Sequence, residues 1–297
     1  MLDKPLVSND HTSKIKDYVD QMPSLSSTVT KVLEVCNQPD TSPNDLNRVI
    51  SLDPVLTGQV LKLINSAYYT LSNQVTSLTR AIIMLGLNTV KNLALSTAIL
   101  GSLAGEKSQC LVMDSFWSHS LCVGVTAKAL AAHKGIPASM LEEYFVAGLM
   151  HDLGKIPLSN CFAEEYRKAL ELAWLQRCSL QRAENMIFGF DHCAAGKLIA
   201  EKWQLTGPIT DTMVHHHDMD ISGESRDLVV TVAMANLYAN LFDIGTAGDM
   251  NLEVSDVGGV LDASEIEWQE LAALNDKIQE EIDKAQVFLQ IAGEGRA

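Results

Sequence analysis

Residues 22–70 read MPSLSSTVTKVLEVCNQPDTSPNDLNRVISLDPVLTGQVLKLINSAYYT. Within them Val29, Val32, Leu33 and Cys36 recur at the three-and-four spacing of one helix face, behind Ser24 or Ser26 as cap. Residues 37–43 carry Asn, Asp, Ser and two prolines and mark a turn. Two short helices are predicted next, over residues 44–51 and 54–65, parted at Asp53-Pro54, where Pro54 suits a first helical position. Outward from this stretch the pattern stays helical. Gly86-Leu87-Asn88 divides a helix around residues 82–84 from one around residues 90–100. No convincing strand alternation occurs, and neither Asn-Gly nor Asp-Gly is present to signal a hairpin. The chain therefore reads as all-α.

Residues 101–112, small and charged, suggest a hinge between a first helical lobe (22–105) and a second (106–245). Residues 1–21 read as an N-terminal extension. The last part, 246–297, reads as a loop rich in Gly and Asp within 245–259, then one amphipathic helix over 264–291. That helix carries a stripe of Ile266, Leu271, Leu274, Ile278, Ile282 and Phe288. The stripe is expected to dock on its own chain, with a dimer or partner contact as the alternative.

The chain has 297 residues, enough to bury a core without staples, and a formal charge of −15. Such an acidic surface repels a phosphate backbone, which argues against nucleic-acid binding. Six cysteines, none in a C-x-x-C pair, read as reduced thiols. Residues 1–20 hold no apolar stretch of signal-peptide length, and no apolar run would span a bilayer. A cytoplasmic protein without membrane contact is the expectation. Gly-rich phosphate loops and nucleophile elbows are absent.

Chemistry concentrates in the second lobe. In GLMHDLGKIP, His151 and Asp152 follow Tyr144 and Phe145 by seven residues each, so both are expected on the buried side of one helix. Ser139 and Glu142 have the spacing of a capping box, and Gly154 that of a helix stop. A buried carboxylate needs a neutralising partner, and a divalent cation held by imidazole and carboxylate would serve. A His–Asp hydrogen bond stapling two helices is the alternative. His119, on a helix from about residue 115 to 133, is expected to point inward. So are His192, behind its cap Asp191, and His216 and His217, after a helix opened by Pro208. Inward imidazoles from four helices form the pattern a helical metal site requires. His215 lines up with Asp211, one turn earlier, as a solvated pair. His11 and His133 join no constellation.

The order Asp-Pro-x-Leu, Asn-Ser-Ala-Tyr-Tyr and Leu-Gly-Leu resembles the opening of the HDOD family, over roughly residues 22–244. That family is all-helical, is related to HD-type metal phosphohydrolases and consists largely of signalling output modules, many without the HD residues. The resemblance implies a second lobe built as an HD-like helical bundle. It implies His119 as the first ligand, His151 and Asp152 as the namesake pair, and His192, His216 and His217 as the additional histidines. It makes Asp152 and Lys155 the catalytic candidates, with Lys155 facing substrate phosphate. One or two ions of Fe, Mn, Zn or Ni would be held. The final carboxylate position is Asn236, a poorer ligand. The Gly-Tyr-Pro signature of enzymes acting on cyclic dinucleotides is missing; the chain after His217 reads DMDISGES.

Two functions are thus expected to compete. One is a signal-transduction output module with a metal in a retained HD-type site, working through a signalling protein partner or a small-molecule phosphate ligand. The other is a metal-dependent phosphohydrolase acting on a nucleotide or cyclic dinucleotide.

Overall fold

The computed structural model describes residues 9–38, 40–103, 105–249 and 253–294, and every regular element among them is helical. The first is α1 (Asn9–Gln21). Ser26 caps α2 (Ser27–Cys36) by accepting from the Val29 N–H. α3 (Pro43–Ile50) opens on a capping box between Ser42 and Asp45, and Asp53 caps α4 (Pro54–Ile64). Both helices carry proline in the first turn, where no N–H is missed. Gly86, at φ +90°, separates α5 (Leu78–Leu85) from α6 (Leu87–Leu103).

α7 (Met113–His133) and α8 (Leu141–Met150) form the centre of the remaining bundle. α9 (Lys155–Cys161), α10 (Ala163–Gln176), α11 (Leu180–Phe188), α12 (His192–Lys202), α13 (Pro208–His215) and α14 (Arg226–Leu241) complete the wall around them. The hydrophobic core is continuous from Ile15 to Ala292. Phe116, Phe145 and Tyr166 are wholly buried within it, each contributing about 1.5–3 kcal/mol of transfer free energy. Among the described residues no single helix is long and apolar enough to cross a bilayer.

Several local expectations give way to packing. α1 lies against α9 and α12, so residues 9–21 belong to the packed structure. The end of the 245–259 loop is helical: α15 (Val254–Ser264) packs on α14. The C-terminal stripe breaks at Gln286 into α16 (Trp268–Ala285) and α17 (Val287–Glu294). α16 packs on α7, while α17 packs on α4 and α6, with the Phe288 ring 4.7 Å from that of Phe145. The stripe therefore docks on its own chain.

α7 begins two residues earlier than expected, and Ser115, inside it, accepts from the Thr246 N–H on its Oγ at 3.0 Å. Ser139 and Glu142 do not form a capping box. Residues Ala138–Met140 make a 3₁₀ turn, and the Glu142 carboxylate pairs with Lys128 instead. Gly154 is no left-handed stop, since its φ is −63°. It is required by proximity: a Cβ there would lie 1.9 Å from the His192 carbonyl oxygen. His215 faces Asp218 at 3.8 Å, not Asp211, which accepts from Ser225. His11 packs edge-on against Phe162, ring centroids 4.9 Å apart.

Candidate metal centre

α8 ends at Met150, and the chain turns sharply into α9 through His151, Asp152, Leu153 and Gly154. Because Gly154 lacks a Cβ, this turn can press against the backbone of α12 at His192 and Gly196. Asp152 is thereby carried to where α7, α8, α12 and α13 meet. The Asp152 carboxylate is completely buried, and its two oxygens serve two groups of residues. Oδ2 lies 3.2 Å from His151 Nε2, 3.7 Å from His119 Nε2 and 2.8 Å from Lys155 Nζ. Oδ1 lies 3.3 Å from His192 Nε2 and 3.6 Å from His216 Nε2. His217 Nε2 is 3.1 Å from His192 Nε2.

His119, His151, Lys155, His192 and His216 thus come together around the Asp152 carboxylate, and His217 joins them through His192. Their donor atoms form two sets, each within 4.8 Å: His119, His151 and Asp152, and His192, Cys193, His216 and His217. Cys193 was not anticipated; its Sγ stands 3.8 Å from His216 Nδ1, behind the ring.

Three of the rings are held by their far nitrogens. His151 Nδ1 is 2.7 Å from the Gly148 carbonyl, His216 Nδ1 is 3.0 Å from the Thr212 carbonyl, and His192 Nδ1 is 2.6 Å from Glu184 Oε2. These acceptors assign the N–H to Nδ1 in each neutral ring. Each Nε2 then faces Asp152 and the other rings and offers a lone pair there when its ring is neutral. For His216, burial pushes downward but Cys193 and Asp152 outweigh it, raising the ring to about 9, so it takes a proton where no cation is bound. Burial drives His119 down to about 3 and lowers His151, so both rings are neutral at ordinary pH. Burial alone would raise Asp152, but His151 and Lys155 outweigh it, and its carboxyl stays well below the usual range. For His192, burial pushes downward while the Glu184 carboxylate prevails, so the ring is raised and holds a proton when no cation takes its place.

Lone pairs facing a carboxylate in a closed interior are unfavourable unless a cation sits among them. His119 Nδ1 and Nε2, His151 Nε2 and Asp152 Oδ1 are all buried without a hydrogen-bond partner. A simple His–Asp staple would need an N–H on His151 Nε2, and the Gly148 carbonyl has claimed that proton for Nδ1. The donor set of imidazoles and one shared carboxylate fits divalent first-row ions.

Sequence reading missed two further carboxylates here. Glu184, fully buried on α11, accepts from both the backbone N–H and Nδ1 of His192, at 2.9 and 2.6 Å. Asp249 accepts from Lys155 Nζ at 2.5 Å and from the Leu180 N–H at 3.1 Å. Lys155 itself is completely buried between Asp152 and Asp249.

A cavity of about 670 Å³ opens beside the cluster, reaching His216 and His217. Asp218, Asp220, Asp249 and Glu253 line it, along with Asn236. Arg182 is the only Lys or Arg among its described lining residues, and its guanidinium faces Glu253 at 3.2 Å. Asn236 Oδ1 accepts from Asn240 rather than from any histidine.

The molecule is thus an all-helical bundle that closes histidines around a buried His-Asp pair. The HDOD domain profile matches residues 22–219, and the chain belongs to that family. The match takes in every histidine of the cluster; Asn236 and Asp249 lie beyond it. An HDOD domain protein of unknown function from Geobacter sulfurreducens superposes with a TM-score of 0.74 at 25% identity, covering 94% of this chain and 98% of that one. A candidate phosphohydrolase from Shewanella amazonensis gives 0.70 at 22% identity, with the same coverage of 94% and 98%. A candidate metal-dependent phosphohydrolase from the same organism gives 0.61 at 18% identity, covering 95% and 97%. An uncharacterized protein of Treponema pallidum is 26% identical over 235 residues, 78% of this chain. The chain spans only 44% of that curated relative's length.

Proposed function

We propose that this chain is a signal-transduction output module that holds one or two divalent transition-metal ions in a retained HD-type site. The observation carrying this reading is the convergence of His151, His192 and His216 Nε2 on the two oxygens of Asp152, with each Nδ1 tied to an oxygen behind it. His119, His151 and Asp152 would hold an ion on one side, and His192, His216 and His217 one on the other. A bound ion would supply Lewis acidity and a reason for the cluster to stay closed.

Binding is favoured over turnover by the charge of the surroundings. Lys155, the cation expected to face substrate phosphate, is spent on Asp152 and Asp249. The adjoining cavity is acid-lined and its one described guanidinium, Arg182, faces Glu253, so a phosphate ligand would depend chiefly on the ions for positive charge. The second reading, a phosphohydrolase acting on a nucleotide or cyclic dinucleotide, draws support from the retained His-Asp pair with its added histidines and the proximity of Lys155 to it.

Elemental analysis of the full chain, purified without chelator and again after exposure to Mn, Fe, Zn or Ni, tests the first statement. Retained metal that disappears in Asp152→Ala is the expected result. Absence of any bound ion under all four conditions would refute the metal reading. Sustained hydrolysis of nucleotides by the loaded protein, lost in Asp152→Ala, would decide for the second reading.

A further inference from the structure

We infer that Glu184 is a positioning residue that fixes His192 as the strongest nitrogen donor on the Oδ1 side of Asp152, and so governs the ion held there. The inference rests on the metal reading above. His192 is the first residue of α12, where backbone N–H groups have no partner within the helix. The cap Asp191 is used on the Ala194 N–H. Glu184 Oε2 reaches across from α11, takes the His192 backbone N–H at 2.9 Å and the ring Nδ1 at 2.6 Å, and holds main chain and side chain together.

The other two anchored rings rest on main-chain carbonyls, Gly148 for His151 and Thr212 for His216. His192 alone among the three rests on a carboxylate. A carboxylate behind an imidazole makes its opposite nitrogen more basic and stops the ring from rotating. That opposite nitrogen, Nε2, is the hub of the second group: it lies 3.3 Å from His216 Nε2, 3.1 Å from His217 Nε2 and 3.3 Å from Asp152 Oδ1.

Charge supplies a second argument. Glu184 and Asp152 have no exposed surface, and Asp249 is 8% exposed. Lys155 is the ammonium that feels all three. With the rings neutral, as metal ligands must be, three carboxylates against one ammonium leave negative charge for a cation to meet, and a cation on His192 Nε2 would lie where it offsets the Glu184 charge through the ring.

The test is isothermal titration of full-length, metal-stripped protein with Mn²⁺, comparing wild type, Glu184→Gln, His192→Ala and the double variant. Glu184→Asp serves as a second probe should the amide prevent folding, because it keeps the charge and withdraws the oxygen by one carbon. Glu184→Gln is expected to weaken one Mn²⁺ site about 10–100-fold. It should leave any site built on His119 and His151 unchanged, and have no further effect once His192 is Ala. Glu184→Asp should weaken the same site less. Unchanged affinity in both Glu184 variants, equal loss at two sites, or a full Glu184→Gln effect in the His192→Ala background would each overturn the role. If wild type binds no Mn²⁺, the metal reading fails first and this inference goes with it.

Discussion

Gly124 and Gly148 face each other where α7 crosses α8, so closely that a Cβ on Gly148 would stand 2.7 Å from the Gly124 Cα. The crossing sets the separation of His119, five residues before Gly124, from His151, three after Gly148. The Gly148 carbonyl is also the oxygen behind His151 Nδ1. Gly148→Ala must push backbone from backbone, because the nearest obstacles are main-chain atoms. The expected cost is about 1–3 kcal/mol from overpacking. Thermal denaturation should show it, and metal retention should fall in the surviving folded protein. An unchanged melting temperature would mean that the crossing is looser than this contact requires.

Removal of metal should be felt as lost stability. An ion that binds only the folded chain adds about 2.7 kcal/mol at a free concentration one hundred times its dissociation constant. Melting wild type with and without chelator should therefore reveal a metal-dependent rise. In Asp152→Asn the rise should disappear, because neither group of histidines keeps its shared oxyanion. A rise of undiminished size in the variant would place the binding elsewhere in the molecule.

The fold was legible to a far greater extent than the site's supporting carboxylates, and the reason is one of range. Ser26, Asp191 and Pro208 act on residues a few positions away, so a linear reading finds them. His119, His151, His192, His216 and His217 were legible because each is a rare residue on, or directly continuing, an apolar helical stripe. Glu184 and Asp249 meet the cluster across folds of the chain, 8 and 94 residues from their partners, and nothing in the flanking pattern distinguishes them from surface acids. The Ser139 and Glu142 spacing misled for the opposite reason. Its local signal was real, but the Glu142 carboxylate is taken by Lys128 on α7, a partner 14 residues away that a local reading does not find.

Asp249 determines whether Lys155 can serve an anion. Its Oδ2 occupies the Lys155 ammonium, and its Oδ1 is tied to the Leu180 N–H at the start of α11. Asp249→Asn should free the ammonium from one negative partner at the cost of a charge-assisted bond, about 1.5–3 kcal/mol of stability. Titration of the metal-loaded protein with inorganic phosphate is expected to give about tenfold tighter binding than wild type. A second substitution, Lys155→Met, should cancel the gain. Phosphate binding that ignores Asp249 altogether would show that Lys155 does not contribute to anion recognition.

Asn236 offers the complementary experiment. It lines the same cavity as His216 and His217, is 9% exposed, and its Oδ1 accepts only from Asn240 among the described contacts. Aspartate has nearly the same volume, so Asn236→Asp adds a charge without disturbing packing. Near neutral histidines and an ion, the added carboxylate should increase metal affinity about tenfold or more. Without the ion it joins an already acidic wall and should lower the melting temperature. Opposite signs in the loaded and stripped states are therefore expected, read by denaturation with Mn²⁺ or chelator. Destabilisation of equal size in both states would mean that the new carboxylate does not reach the ions. The preference for binding over turnover would then rest on the pairing of Lys155 with Asp249 and on the acid-lined cavity, not on the residue at position 236.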